Sequence, residues 1–144
     1  LDGVVPRTQL PAVMTEVMRL SAAAGFRCAN IFHAGDGNLH PNIMFDELEP
    51  GATQRVLDLG GAIMRLCVDV GGSITGEHGI GIEKRSYMEW IFEPQDLEAM
   101  GRVRTAFGTG DRFNPCKVLP TGHGCGQAHE AEIRQHLATP GVYL

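Results

Sequence analysis

Apolar residues recur along this chain with two different periods. Leu10, Val13, Met14, Val17 and Met18 keep the i, i+3, i+4 spacing and predict a helix from Gln9 to the stop at Gly25. Thr8 is placed as its N-cap and Pro11 falls in its first turn. Residues 1–8 read as a short strand and a turn. Phe26 to His33 and Leu39 to Phe45 read as strands on either side of a Gly-Asp-Gly-Asn turn. Pro50-Gly51 interrupts the pattern, and Thr53 is placed as the cap of a second helix reaching about Val70. Its stripe is Val56, Leu57, Leu59, Ile63, Met64, Leu66 and Cys67. A third helix is predicted from about Pro94 to Phe107, and "FNPCKVLP", Phe113 to Pro120, reads as extended. From Thr121 the chain is Gly-rich and then briefly helical. Helices alternate with strands, and the central strands form a hairpin. This predicts an α+β class: an antiparallel sheet with helices packed on one face.

The hairpin carries the first chemistry. Asp-Gly at the centre of a two-residue loop is a strong hairpin signal. With Asp36 and Gly37 as the loop, Gly35 pairs with Asn38, Ala34 with Leu39 and His33 with His40. Residues directly opposite one another have Cβ atoms about 4.5–5.5 Å apart on one face, so the two imidazoles could converge on a metal. Ile31 and Asn42 form the next pair on that face. The other face collects Phe32, Ala34, Leu39, Pro41 and Ile43, with Asn30 its one polar member. A one-residue slip would mix the two sets.

Two histidines do not complete a metal site, and a third ligand, often a carboxylate, leaves positions open for substrate. Asp46 lies nearby in sequence. Asp36 is better read as a turn residue tolerating positive φ. Glu77 is the stronger candidate. It sits beside His78 in "GGSITGEHGIGIEKR", where five glycines (71, 72, 76, 79 and 81) point to backbone close to a ligand. That loop is not a nucleotide fingerprint, because Gly-x-Gly-x-x-Gly fails at Lys84 and no Gly-Lys-Ser/Thr follows. Lys84-Arg85 could hold an anionic substrate, but reads better as a helix cap. His129-Glu130 does not continue to His-Glu-x-x-His, and His123, His129 and His136 are assigned to a tail without a site role.

Composition narrows the field. The 144 residues amount to about one domain; 43% are hydrophobic and 20% charged, which allows a globular core. A formal net charge of −5 argues against nucleic acid as a partner. No apolar run approaches the roughly 18 residues of a spanning helix. Cys28, Cys67, Cys116 and Cys125 are scattered without a Cys-x-x-Cys pair, and are read as reduced thiols in a cytosolic protein. The chain opens with Leu1 rather than an initiator methionine, and is expected to be a fragment of a longer one. On the residues alone, a metal-dependent hydrolase using His33, His40 and Glu77 to activate water remains open, as does a non-catalytic metal-binding or assembly module.

Taken together, "FHAGDGNLHPNIMF", "GGSITGEHGIGIEKR" and "FNPCKVLP", in that order, resemble the C-terminal domain of the FAD-linked oxidases of the vanillyl-alcohol oxidase type. Within them the resemblance is to glycolate oxidase catalytic subunits, with D-lactate and D-2-hydroxyglutarate dehydrogenases as relatives. It runs from Asp2 to about Thr121. It implies a ferredoxin-like cap or substrate domain over residues 1–121, followed by a Gly-rich tail with a short helix over 122–144. The implied activity is oxidation of a small 2-hydroxy acid, glycolate or D-lactate, to the 2-oxo acid, with hydride passing to FAD. By the same resemblance His33, His40 and Glu77 hold a divalent ion, zinc or manganese; His78 is the catalytic base; Asn42 contacts substrate; and Asn114 and Lys117 approach FAD. FAD is bound mainly by an N-terminal domain of the same full-length chain, so the isolated fragment is expected to be inactive. Further glycolate oxidase subunits are implied as partners, and with them a cytoplasmic location peripheral to the inner membrane. Cys116 stands where a glycine is often found, and "GTGDR" replaces a more usual Asp-Pro turn.

Overall fold

The computed structural model describes residues 1–107, 114 and 116–120. They fall into two compact units, the first spanning Leu1–Gly79 and the second beginning at Ile80. The tail assigned to 122–144, with His123, His129 and His136, lies outside the described residues.

The first unit runs β1 (Gly3–Val4), α1 (Leu10–Ala23), β2 (Arg27–His33), β3 (Asn38–Met44) and α2 (Ala52–Asp69). The strands form an antiparallel sheet in the order β1-β3-β2. After α2 the chain returns to the free side of β1, where Val4 and Ser73 make an isolated antiparallel bridge. Its two hydrogen bonds, Val4 N–H to Ser73 O and Ser73 N–H to Val4 O, are 2.9 and 2.8 Å long. The spatial order is therefore Ser73, β1, β3, β2, the split β-α-β-β-α-β arrangement with its last strand reduced to one bridge.

Both helices cover the same face of this sheet. Gly3 pairs with Leu39, and a Cβ built on Gly3 would lie 2.9 Å from Cys67 Sγ and 3.1 Å from Met64 Cε of α2. On that same face Asn30 reaches Met18 of α1. Val13, Val17, Leu39, Ile63, Met64 and Cys67 are fully buried in this layer. The α+β class and the one-sided helix layer agree with the sequence reading.

The helix ends differ from it in detail. Thr8 does not cap α1: it lies inside a 3-10 turn, Arg7–Gln9, that runs directly into the helix with Gln9 at the cap position. Thr53 does not cap α2 either. Gly51, with φ of +77°, occupies that position, and Ala52 N–H closes a turn on Glu49 O at 3.0 Å.

The hairpin differs more consequentially. Its loop is Ala34-Gly35-Asp36-Gly37, so His33 pairs with Asn38, and His40 pairs with Ile31 rather than with His33. The cause is the turn chemistry. The His33 carbonyl accepts from both Asp36 N–H (3.3 Å) and Gly37 N–H (2.9 Å), and Asp36 Oδ1 accepts from Asn38 N–H at 3.0 Å. Gly37, not Asp36, takes the positive φ, +82°. A Cβ on Gly37 would also sit 2.1 Å from Val5 O. The register moves by two residues, an even number, so every side chain keeps its expected face. Burial on the helix-facing side is narrower than expected. Leu39 and Pro41 are buried, but Phe32 is 43% exposed because β2 is the sheet's edge strand.

The second unit contains a 3-10 helix over Arg85–Trp90 and α3 (Pro94–Phe107), whose limits match the sequence reading. The described part of the segment expected to be extended, residues 114 and 116–120, is curled instead, with positive φ at Asn114, Cys116 and Val118. Its carbonyls turn towards two guanidinium groups. Arg85 Nη1 donates to Cys116 O (2.8 Å), Arg104 Nη1 to Lys117 O (3.0 Å), and Arg104 Nη2 to Asn114 O. Lys84 stands at the N-cap position of the 3-10 helix, as its reading as a cap residue expects, although its side chain makes no capping hydrogen bond; both Lys84 and Arg85 are buried. Cys28 and Cys67 are reduced, whereas Cys116 is disulfide-bonded, so the expectation of four reduced cysteines fails there. Among the described residues no helix is long and apolar enough to cross a membrane.

Candidate metal centre

The site lies on the sheet face opposite the helices and within the first unit. His33 and His40 reach it from neighbouring strands as a diagonal pair, with ring centroids 5.3 Å apart and edge-to-face. The loop that leaves the Ser73 bridge carries Thr75-Gly76-Glu77-His78 over this face. Glu77 Oε1 lies 2.8 Å from His40 Nε2, 3.6 Å from His33 Nε2 and 3.9 Å from His78 Nε2. The His78 ring stacks on His40, with centroids 5.1 Å apart and planes 18° apart. One carboxylate oxygen thus meets three imidazole nitrogens.

These separations suit one small divalent ion. Ligand atoms bound at about 2.0–2.1 Å in a tetrahedral site stand about 3.4 Å from each other. The His33–Glu77 separation is close to that value, and the His40–Glu77 separation needs to open by about 0.6 Å. His40 supplies a second argument. Its Nδ1 is 3.2 Å from Leu1 O, so both ring nitrogens face oxygen acceptors. A neutral imidazole has one N–H for two such partners. A cation between Nε2 and Glu77 Oε1 removes the conflict and leaves Nδ1–H donating to the carbonyl, the outer hydrogen bond that fixes a ligating tautomer.

Asp2, His40, Glu77 and His78 also bring ligand-type atoms within 4.8 Å of one another. Asp2 joins that group by proximity alone. It is fully buried, and its two oxygens already accept from the Thr75 hydroxyl and three backbone N–H groups. His33 stands outside the group, yet it directs Nε2 at the Glu77 oxygen. His33, His40 and Glu77 are therefore the candidate donors. Their side chains are 55, 13 and 52% exposed, which leaves the site open on its outer side.

The structure brings together His33, His40, Glu77 and His78 from the residues singled out in the sequence. Asn42 shares the histidine face, pairs with Ala29, and donates Nδ2–H to His40 O at 3.0 Å. Asn114 and Lys117 belong to the second unit, where Lys117 Nζ donates to Asn114 Oδ1 at 3.2 Å on the surface. Asp36 is a turn residue. Sequence reasoning missed Asp2. No short-range pattern marks it, and only the β1–β3 register, continued by one residue beyond Gly3–Leu39, sets it beside His40. It also missed Asn38, which is 4% exposed and whose Oδ1 has no hydrogen-bond partner among the described residues.

A split β-α-β-β-α-β unit carrying a two-histidine, one-carboxylate cluster on its open face finds its class by comparison with known proteins. Residues 1–118 match the family described as FAD linked oxidases, C-terminal domain, and the chain belongs to that family. Its relatives include the glycolate oxidase subunit GlcD of Escherichia coli strain K12, 45% identical over 141 residues that make up 97% of this chain and 28% of that protein. The mitochondrial D-lactate dehydrogenase [cytochrome] of Arabidopsis thaliana is 32% identical over 124 residues, 86% of this chain and 22% of the relative. The D-lactate dehydrogenase of Archaeoglobus fulgidus is 32% identical over 119 residues, 83% of this chain and 26% of the relative. The chain thus spans about a quarter of the length of these relatives.

Proposed function

We propose that this chain is the substrate- and metal-binding part of a flavin-dependent enzyme that oxidises a small 2-hydroxy acid, glycolate or D-lactate, to its 2-oxo acid. The observation that carries the proposal is the single Glu77 oxygen held 2.8 and 3.6 Å from the Nε2 atoms of two histidines on one sheet face. Relatives named as a glycolate oxidase subunit and as D-lactate dehydrogenases support that substrate class.

In this reading His33, His40 and Glu77 hold a divalent ion, zinc or manganese. When bound, such an ion polarises the substrate hydroxyl and acidifies it. His78 lies over His40 at the exposed edge of the cluster and takes the hydroxyl proton as general base. Asn42 offers its amide to the substrate from the same face. FAD, held mainly by another domain of the longer chain, supplies the hydride acceptor, and the Asn114–Lys117 pair is the part of this chain that approaches it. Further glycolate oxidase subunits are partners of the assembled enzyme, and they give it a cytoplasmic location at the inner membrane surface.

Titration of the chain with Zn²⁺ and with Mn²⁺ tests the site. One ion per chain is expected, with affinity at least tenfold weaker in His33→Ala and in Glu77→Ala. Unchanged affinity in both variants would sink the shared site. The chain alone should leave added FAD oxidised in the presence of glycolate or D-lactate; bleaching of the flavin would contradict the assignment of FAD binding to another domain.

A further inference from the structure

Asp2 is a carboxylate with no exposed surface, set one register step beyond the Gly3–Leu39 pair and so beside His40. A buried carboxylate is stable only when its oxygens are fully engaged. Those of Asp2 are engaged by one short stretch of chain. Oδ2 accepts from the Thr75 hydroxyl (2.6 Å), Gly76 N–H (3.1 Å) and His78 N–H (3.1 Å), and Oδ1 accepts from Gly76 N–H and Glu77 N–H (both 3.2 Å). Three successive N–H groups aimed at one anion form a nest. Here the anion is the protein's own, and the nest consists of the residues whose side chains build the candidate centre. Thr75 Oγ1 closes the arrangement by accepting from Gly79 N–H at 2.9 Å.

We propose that Asp2 is the positioning residue of the metal centre: its carboxylate clamps the backbone of residues 75–78 so that Glu77 and His78 are delivered to His33 and His40 before any ion or substrate arrives. The loop needs such a device because it has few other ties. Gly76, Glu77, His78 and Gly79 are all exposed, and two glycines bracket the ligand and the base. A free Gly-rich segment would have to be ordered at the moment of ion binding, which lowers affinity. The clamp makes that ordering part of folding. It also places a negative charge behind the cluster without using a coordination position.

This inference rests on the metal reading for its purpose, but not for its test. The test is amide hydrogen exchange on the metal-free 144-residue chain, paired with Zn²⁺ calorimetry and the visible spectrum of the Co²⁺-loaded chain. In Asp2→Asn one acceptor oxygen becomes a donor facing N–H groups. Exchange at Gly76, Glu77 and His78 should rise about tenfold or more while the β3 amides keep their protection. Zn²⁺ affinity should fall at least tenfold, and the Co²⁺ spectrum should change. Thr75→Val removes one donor and leaves Asp2 in place, so it should show the same effects to a smaller degree, and it decides the matter if Asp2→Asn does not fold. Wild-type exchange rates at residues 76–78, with wild-type Zn²⁺ affinity, in whichever variant folds would overturn the proposal. If the wild-type chain takes up no Zn²⁺, the metal reading fails by itself, and the exchange rates still decide the role of Asp2.

Discussion

Gly76→Ala is the smallest change that separates the loop from the sheet beneath it. A Cβ at this position would stand 2.7 Å from Asn38 Cγ and 2.8 Å from both amide atoms of that side chain. Reaching an ordinary contact near 3.4 Å requires a shift of about 0.7 Å between loop and sheet. Asn38 cannot give that distance cheaply, because it is 4% exposed and stands on the central strand β3. The loop must give instead, and Glu77 moves with it. Glu77 Oε1 would have to make up this displacement in addition to the opening that His40 already requires, which weakens its joint reach to His33 and His40. Overpacking of this kind costs about 1–3 kcal/mol. The expected result is a stability loss in that range in urea, with Zn²⁺ binding weakened more than tenfold while far-ultraviolet circular dichroism is unchanged. Gly79 has open space around it but a φ of +80°, so Gly79→Ala provides the contrast. It should strain the backbone locally by about 1 kcal/mol with a smaller effect on Zn²⁺ affinity. Wild-type affinity in Gly76→Ala would refute the claim that close packing of Gly76 on Asn38 sets the position of Glu77.

Three further outcomes follow from the packing. Ile63→Ala removes a side chain with no exposed surface and should lower stability by about 2–5 kcal/mol, whereas Ile31→Ala, at a residue 62% exposed, should stay within about 0.5 kcal/mol in the same urea titration. Gly37→Ala combines a φ of +82° with a Cβ 2.1 Å from Val5 O, so it should break the Val5 N–H to Gly37 O bond and raise amide exchange at Val5 while α2 stays protected. Arg85→Met leaves the Cys116 carbonyl without its buried donor and should cost about 1.5–3 kcal/mol by thermal denaturation, with His33, His40 and Glu77 still binding Zn²⁺ as in the wild type.

What could be read from the sequence followed from local rules. The 3.6 period placed α3 at its observed limits, and the Asp-Gly signal placed the hairpin. The register differs by two residues, because Asp36 N–H and Gly37 N–H both turn back to the His33 carbonyl and the Asp36 side chain accepts from Asn38 N–H, which widens the loop to four residues. Parity survived that error, so His33, His40 and Asn42 still share a face. Non-local facts were not legible. Phe32 looks like core until β2 proves to be the edge strand. "FNPCKVLP" looks extended until Arg85 and Arg104 draw its carbonyls inward. Asp2 carries no local signal until β1 takes its place against β3.

The position of β1 explains why the candidate centre needs three separate segments. A hairpin alone could set two histidines at a fixed spacing, but its polar face would carry no carboxylate suited to a shared ion, since Asp36 is committed to the turn. Threading β1 beside β3 supplies Leu1 O to orient His40 and Asp2 to hold the Glu77 loop, and the Ser73 bridge on the far side of β1 starts that loop at the correct height. Strand and loop are therefore mutually dependent. Asp2 takes its hydrogen bonds from residues 75–78, and by the proposed clamp those residues depend on β1 being docked. Loss of β1 should thus abolish the candidate centre even with His33, His40, Glu77 and His78 all present, because the sheet face would keep its histidines and lose the placement of Glu77 and His78 beside them.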